Sequence, residues 1–156
     1  MNKETQSIIK NLENTLSGQP WFGRAVYEIL KEVDETKVFT KPYETEHSLI
    51  ELLYHMITWA EFCLKQLQNA PVNELKEVEN NDWRGIDADK HSWQNGLAEL
   101  KKIHKQIIAI LEKKNDDFLS EIVAERKFNY RFMLNGLIQH NIYHLGQAAY
   151  VKKLLS

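Results

Sequence analysis

Apolar residues recur every three or four positions along several long segments of this 156-residue chain, and this spacing predicts amphipathic helices. The strongest pattern runs from about residue 46 to about residue 69, and Pro71 follows closely and helps to end it. A chain dominated by such segments must bury one face of each helix against the others. The apolar stripe of this segment contains Leu49, Leu52, Met56, Trp59, Cys63 and Leu67.

The same spacing predicts helices over residues 3–16, about 91–114 and about 130–155, with a shorter helical stretch around residues 26–33. Residues 72–89 are polar and are predicted to form a long connection, which Trp83 anchors to the body. Residues 118–130 leave an extended and a short helical structure both open. We therefore predict one domain, residues 1–156, with an all-α fold: a four-helix bundle with a long crossover connection.

Composition limits the classes of function. The formal net charge of -2 carries no electrostatic footprint for nucleic acid, so no nucleic-acid partner is expected. The single cysteine, Cys63, excludes a disulfide within the chain and is interpreted as a core residue. No signal-peptide pattern and no membrane-spanning run of about 18 apolar residues is found, which predicts a soluble cytoplasmic protein without a membrane partner.

Three histidines are the main candidates for chemistry. His140 and His144 are four residues apart and therefore lie one turn apart on one helix face, and His55 lies on the apolar stripe of another predicted helix. Imidazole is the commonest side-chain metal ligand, although a hydrogen-bonded core histidine remains open as an alternative. Asn141 stands where the H-E-x-x-H motif requires glutamate, which excludes a zincin-type site.

Several neighbours are candidates for the wall of a pocket or for support of the imidazoles. Gln147 shares the face of His140 to within about 20°, and Glu51 precedes His55 by one turn. Tyr143 and Trp59 flank the histidines. An exposed helix glutamate and ordinary core packing remain equally open for these residues.

The other histidines are weaker candidates. His47 is interpreted as a residue of the pocket mouth or of the surface, and His91 as an exposed residue at a helix start. His104 lies on an apolar stripe without a polar companion at helical spacing, which predicts a half-buried core residue.

The segment Gly136-Leu-Ile-Gln-His140-Asn-Ile-Tyr-His144-Leu-Gly146-Gln147 resembles the H-x-x-x-H-x-G-Q signature of the DinB-like superfamily, whose relatives include bacillithiol transferases and mycothiol-dependent enzymes. Residues 48–59 are similar to the superfamily's segment from a histidine through an apolar run to a tryptophan, and residues 18–23 resemble the loop after its first helix. The resemblance implies an up-down-down-up bundle that is often dimeric. It also implies a divalent metal, zinc or nickel most often, held by His55, His140 and His144.

We interpret the chain as a metal-dependent enzyme that acts on a small-molecule substrate. The resemblance favours S-transfer from a low-molecular-weight thiol to an electrophile. A metal-dependent hydrolase with the same ligands and a non-enzymatic, stress-related metal-binding bundle remain open. Three imidazoles also suit copper or iron(II), so the sequence does not select the metal.

Overall fold

The computed structural model describes residues 2–44 and 47–156, and this part of the chain forms six α-helices and no β-strand. Three short 3-10 turns, Glu35–Lys37, Pro42–Glu44 and Asp116–Ser120, lie between them. The predicted all-α fold is confirmed, whereas the up-down-down-up direction of four helices stays a prediction. The helices are α1 (Lys3–Ser17), α2 (Val26–Lys31), α3 (Leu49–Leu67), α4 (Val72–Asn80), α5 (Trp93–Leu111) and α6 (Tyr130–Leu154).

The predicted long connection was wrong in its first half, because residues 72–80 form helix α4. Only Leu75 and Val78 of this helix are buried. Its apolar stripe is therefore too short to stand out from the polar residues around it in the sequence. Helix α3 begins at Leu49, and the earlier start predicted at about residue 46 lies outside the described residues. Between α5 and α6, the segment 118–130 begins within the Asp116–Ser120 turn and contains one antiparallel bridge between Ile122 and Asn129.

Side-chain caps explain where the long helices begin. Ser48 accepts a hydrogen bond from the backbone N–H of Glu51, and the Glu51 carboxylate accepts one from the backbone N–H of Ser48. This reciprocal pair is a capping box, which satisfies two donors that the first turn leaves without partners. Ser92 and Asn129 cap α5 and α6 through single hydrogen bonds, in which their side-chain oxygens accept from the backbone N–H of Asn95 and of Phe132.

Helix α3 lies at the centre of the fold and packs against α4, α5 and α6. Its buried residues lie on every side of the helix, and Met56 and Ile57 are fully buried. Full burial of such a side chain contributes about 1.5–3 kcal/mol to stability. Helix α5 approaches α3 closely at Gly96, where an added Cβ would lie 2.8 Å from the Leu53 side chain. His55 is therefore carried by the most firmly packed helix of the chain.

A buried polar cluster connects α6 to α5 and α2. The side-chain amide of Asn141 lies 3.1 Å from Nε2 of His104, and the Tyr27 hydroxyl lies 2.9 Å from Nδ1 of the same ring. His104 is only 1% exposed, so the half-buried prediction was wrong, and its polar companions come from other helices. Leaving such a buried group without its partner costs about 1–3 kcal/mol. The cluster therefore opposes rotation of α6 and helps to keep His140, the residue before Asn141, directed toward His55 on α3.

No helix in the described part of the chain combines the length and the apolar character that crossing a bilayer requires.

Candidate metal centre

Three imidazoles from two helices converge on one point. Nε2 of His55, on α3, lies 3.0 Å from Nε2 of His144 and 3.1 Å from Nε2 of His140, both on α6. One ligand atom of each residue lies within 4.8 Å of the other two. The four-residue spacing places the two α6 rings one turn apart, and the packing of α3 against α6 brings the third ring to them.

The outer nitrogens of two rings determine their tautomers. Nδ1 of His55 lies 2.9 Å from a carboxylate oxygen of Asp82 and 3.2 Å from its backbone carbonyl, both of which accept its hydrogen. Nδ1 of His144 lies 2.6 Å from the side-chain oxygen of Gln147, which accepts in the same way. With the proton on Nδ1, each neutral ring presents a lone pair on Nε2 to the common point.

Burial keeps these rings neutral. It lowers the pKa of His140 to about 3, and the neighbouring rings of His144 and His55 lower it further. Burial also lowers the pKa of His55 and of His144, although Asp82 and Gln147 respectively oppose the shift. The neutral ring is the form that binds a metal, so no ligand proton has to be displaced near pH 7.

The donor set fits a divalent cation. Nitrogen ligands about 2.0–2.1 Å from a tetrahedral zinc ion are separated by roughly 3.3 Å, close to the spacing of these Nε2 atoms. Two lone pairs facing each other at 3.0 Å repel unless a cation or a proton lies between them. In addition, Nδ1 of His140 is buried without a hydrogen-bond partner among the described residues. A tetrahedral metal held by these three ligands would have one further position, as a catalytic site requires.

The segment between α4 and α5 supports the centre, and the sequence analysis missed this role for Asp82. The Asp82 carboxylate accepts a second hydrogen bond, at 2.6 Å, from the indole N–H of Trp59. The indole of Trp83 stacks on the ring of His55 at 3.8 Å between centroids and, on its other face, on His47 at 3.7 Å. An aspartate beside a lone tryptophan in a polar segment was the only available signal, and helical spacing does not connect it to His55.

The predicted supporting residues divide into two groups. Gln147 contacts His144, and the ring of Tyr143, although 65% exposed, makes an edge contact with His144 at 4.9 Å between centroids. Glu51 does not support the centre, because its carboxylate belongs to the capping box and lies 3.4 Å from the ammonium group of Lys41. Asp82 takes the place next to His55 that the sequence analysis had proposed for Glu51.

A cavity of about 350 Å³ adjoins the ring of His140. Its volume lies within the range of small-molecule sites, about 300–1,000 Å³. Apart from His140, the residues that line it are Trp59, Phe62, Cys63, Arg126, Phe128, Phe132, Met133, Gly136 and Leu137.

The all-helical fold and the three converging imidazoles together place this protein in the class of helical proteins with a candidate divalent-metal site. The sequence matches the DinB superfamily over residues 22–148, and the chain belongs to that superfamily. The resemblance inferred from the two histidine segments is thereby confirmed. Among curated proteins, none matches this sequence.

Solved structures of other proteins share the fold, and two of them are ClbS and YjoA. One is the colibactin self-resistance protein ClbS in complex with double-stranded DNA, at 18% identity and a TM-score of 0.69, with 96% of this chain and 95% of that chain covered. The other is YjoA, a DinB-like protein from Bacillus subtilis, at 18% identity and a TM-score of 0.66, with 96% and 93% covered. At this identity the likeness shows the fold alone.

The exclusion of nucleic acid as a partner was wrong. ClbS shares this fold and has been solved with double-stranded DNA, so a bundle of this class is compatible with a DNA partner. Net charge alone misleads here because it averages over the whole surface, whereas contact with phosphates depends on local charge.

Proposed function

We propose that this protein is a divalent-metal-dependent enzyme that transfers a small thiol to an electrophilic carbon. The observation that carries the proposal is the meeting of three neutral imidazoles at one point beside a cavity. His55, His140 and His144 would hold zinc or nickel. When bound, such a metal lowers the pKa of a thiol and makes its sulfur nucleophilic near pH 7.

The reaction balances without an oxidant or a reductant. The thiol loses its proton to solvent, its sulfur forms a bond to the electrophilic carbon, and the leaving group departs with the electron pair of the broken bond. The product is a thioether. Asp82 and Gln147 hold the proton on Nδ1 of His55 and His144 throughout, so both rings keep their Nε2 lone pairs for the metal.

The thiol comes from a second substrate because the protein's own cysteine is unsuited to the reaction. Cys63 is 5% exposed, and burial raises the pKa of its thiol to about 12. Almost none of it is therefore thiolate near pH 7, and the thiolate is the nucleophile. A low-molecular-weight thiol that enters from solvent meets this requirement.

A metal-dependent hydrolase is the second candidate, because the same ligands would activate water instead of a thiol. It requires ester, amide or phosphoester cleavage that proceeds without added thiol. A non-enzymatic metal-binding bundle is the third, and it requires a metal with no exchangeable position. A metal held by only three protein ligands would keep a fourth tetrahedral position for a substrate, which favours the enzyme over this third candidate.

The first experiment combines metal analysis with activity. We expect near-stoichiometric zinc or nickel in the parent and its loss in His55→Ala, His140→Ala and His144→Ala. His91→Ala is the matched control, because its Nδ1 accepts a hydrogen bond from the Asp87 backbone and lies outside the cluster. Thioether formation from a thiol and an electrophile should be present in the proteins that retain the metal and absent from the three variants that lose it.

Two results would contradict the proposal. Metal retained in all three cluster variants would exclude these ligands. Activity that is independent of added thiol in the metal-loaded parent would favour the hydrolase.

Two partners need separate measurements. Because ClbS is known with double-stranded DNA, binding of a fluorescent duplex is measured at two salt concentrations, and retention only at low salt marks non-specific phosphate contact.

We also propose a homodimer. Phe132, Tyr143 and Tyr150 are exposed on one face of α6, and burying them in a dimer would remove this apolar surface from water. Sedimentation equilibrium tests the dimer.

A further inference from the structure

The cavity beside His140 has a wall made almost wholly of apolar and aromatic side chains. We propose that it binds the apolar part of a neutral electrophilic substrate, namely an aromatic or branched alkyl group next to the reacting carbon. This inference rests on the proposed thiol transfer and names the class of its second substrate.

Aromatic rings form two sides of the cavity. Trp59 and Phe62, on α3, meet edge to face with centroids 5.3 Å apart, and the rings of Phe128 and Phe132, before and within the first turn of α6, lie 5.1 Å apart. Aromatic pairs contribute about 0.5–1.5 kcal/mol beyond the burial of their area. Met133, with a flexible and polarizable thioether, also lines the cavity and can adapt to different shapes. An apolar group therefore suits the cavity better than a polar one.

The charged groups at the cavity do not favour an anionic substrate. Arg126 is the one charged side chain among the described lining residues, and its guanidinium is paired with Glu79 and bonded to the Glu125 carbonyl. It also lies 5.0 Å from the centroid of the Phe62 ring. Because its charge is already engaged, it offers little to a carboxylate or a phosphate. The lining favours a neutral group.

The cavity and the metal centre share two side chains. His140 lines the cavity and also directs its Nε2 to the cluster. Trp59 lines the cavity, lies 6.5 Å from His140 between ring centroids and donates to Asp82. An apolar group in the cavity is thus held next to the imidazoles, where the thiol sulfur would attack.

Gly136 provides the means to test this subsite. It lines the cavity within α6, and a Cβ added there would meet no atom within 4 Å. Gly136→Ala therefore removes a helix-weakening glycine without filling the cavity. Gly136→Phe adds an aromatic ring at the cavity wall, starting from a Cβ that meets no atom within 4 Å. Gln139→Phe is the control, because this exposed residue of the same helix does not line the cavity.

The binding experiment uses 1-naphthalenemethanol, an unreactive neutral probe, titrated by ligand-observed NMR against metal-free and zinc-loaded protein. We expect similar binding to the parent, Gly136→Ala and Gln139→Phe, and at least about tenfold weaker binding to Gly136→Phe. Thermal unfolding by circular dichroism confirms that each variant folds. Equal binding to all four proteins, or none to the parent, would overturn the subsite.

The activity experiment separates this inference from the proposed function. With 2-mercaptoethanol as the thiol, Gly136→Phe should lower kcat/KM for benzyl chloride at least about tenfold more than it lowers kcat/KM for chloroacetamide. An equal loss for both electrophiles would overturn the subsite. Absence of thiol transfer in the zinc-loaded parent, with the probe pattern intact, would instead overturn the proposed function.

Discussion

The carboxylate of Asp82 lies 2.9 Å from Nδ1 of His55, although 27 residues separate the two in the chain. This contact joins the segment after α4 to the histidine of α3. It fixes both the tautomer and the direction of the ring, because the Nδ1–H of His55 donates to the carboxylate and its Nε2 lone pair therefore faces His140 and His144. A carboxylate in this position also makes the imidazole a more basic ligand.

Asp82→Asn should weaken zinc binding about 10- to 100-fold, the usual cost of losing a carboxylate partner of a metal-binding histidine. The neutral amide accepts a weaker hydrogen bond from His55 and from Trp59. Competition with a chromophoric chelator measures the affinity, and exposed Asp89→Asn is the control for the lost charge. Unchanged affinity in Asp82→Asn would show that the contact does not tune the site.

Gln147→Leu should also weaken zinc binding, but by less than Asp82→Asn. Its neutral oxygen at 2.6 Å from His144 contributes a weaker hydrogen bond than a carboxylate does. Gln147→Glu should tighten binding, since it gives His144 the kind of partner that His55 already has. The same chelator titration measures the zinc affinity of the parent, of Gln147→Leu and of Gln147→Glu, with Gln139→Leu as the control on α6. The reverse order of Gln147→Leu and Gln147→Glu would contradict this account.

Glu51→Ala should lower the free energy of unfolding by about 1 kcal/mol, because it removes the capping box of α3. Ser48→Ala removes the other half of the same pair and should cost a similar amount. Zinc affinity should stay within about twofold in both variants, since Glu51 does not contact an imidazole. Urea unfolding gives the stability. A selective loss of zinc in Glu51→Ala would return this residue to the metal centre.

The buried His104 should make stability depend on pH. Burial lowers its pKa to about 4, whereas the unfolded chain has a value near 6.5. The unfolded state therefore binds more protons between these values, and the stability contributed by neutral His104 is present above pH 6.5 and lost as pH falls toward 4. From pH 7 to pH 5 the loss should be about 2 kcal/mol.

Urea unfolding of metal-free parent and His104→Gln at both pH values measures this contribution. The three cluster histidines titrate in both proteins and cancel in the comparison. His104→Gln should lose about 2 kcal/mol less between pH 7 and pH 5 than the parent does. Equal losses in the two proteins would mean that His104 titrates normally in the folded state.

Local spacing accounts for the parts that could be predicted. Apolar residues three and four apart predicted where the long helices lie. The four-residue interval between His140 and His144 predicted that both lie on one helix face. Side chains that act within one turn, such as the Ser48 cap, follow from the same local geometry. The superfamily also followed from local motifs in α3 and α6. That the converging histidines bind a metal stays a prediction.

The rest depended on contacts between distant segments. The roles of Asp82 and Trp83 come from a polar stretch that has no helical period, so no spacing rule relates it to His55. His104 was misjudged because its partners, Tyr27 and Asn141, lie on other helices. Helical periodicity specifies the face on which a side chain lies, but packing between helices decides what that face meets. The histidine pair and its Gln147 partner could therefore be found from the chain alone, whereas the support from Asp82 and the cavity emerged only when the helices packed together.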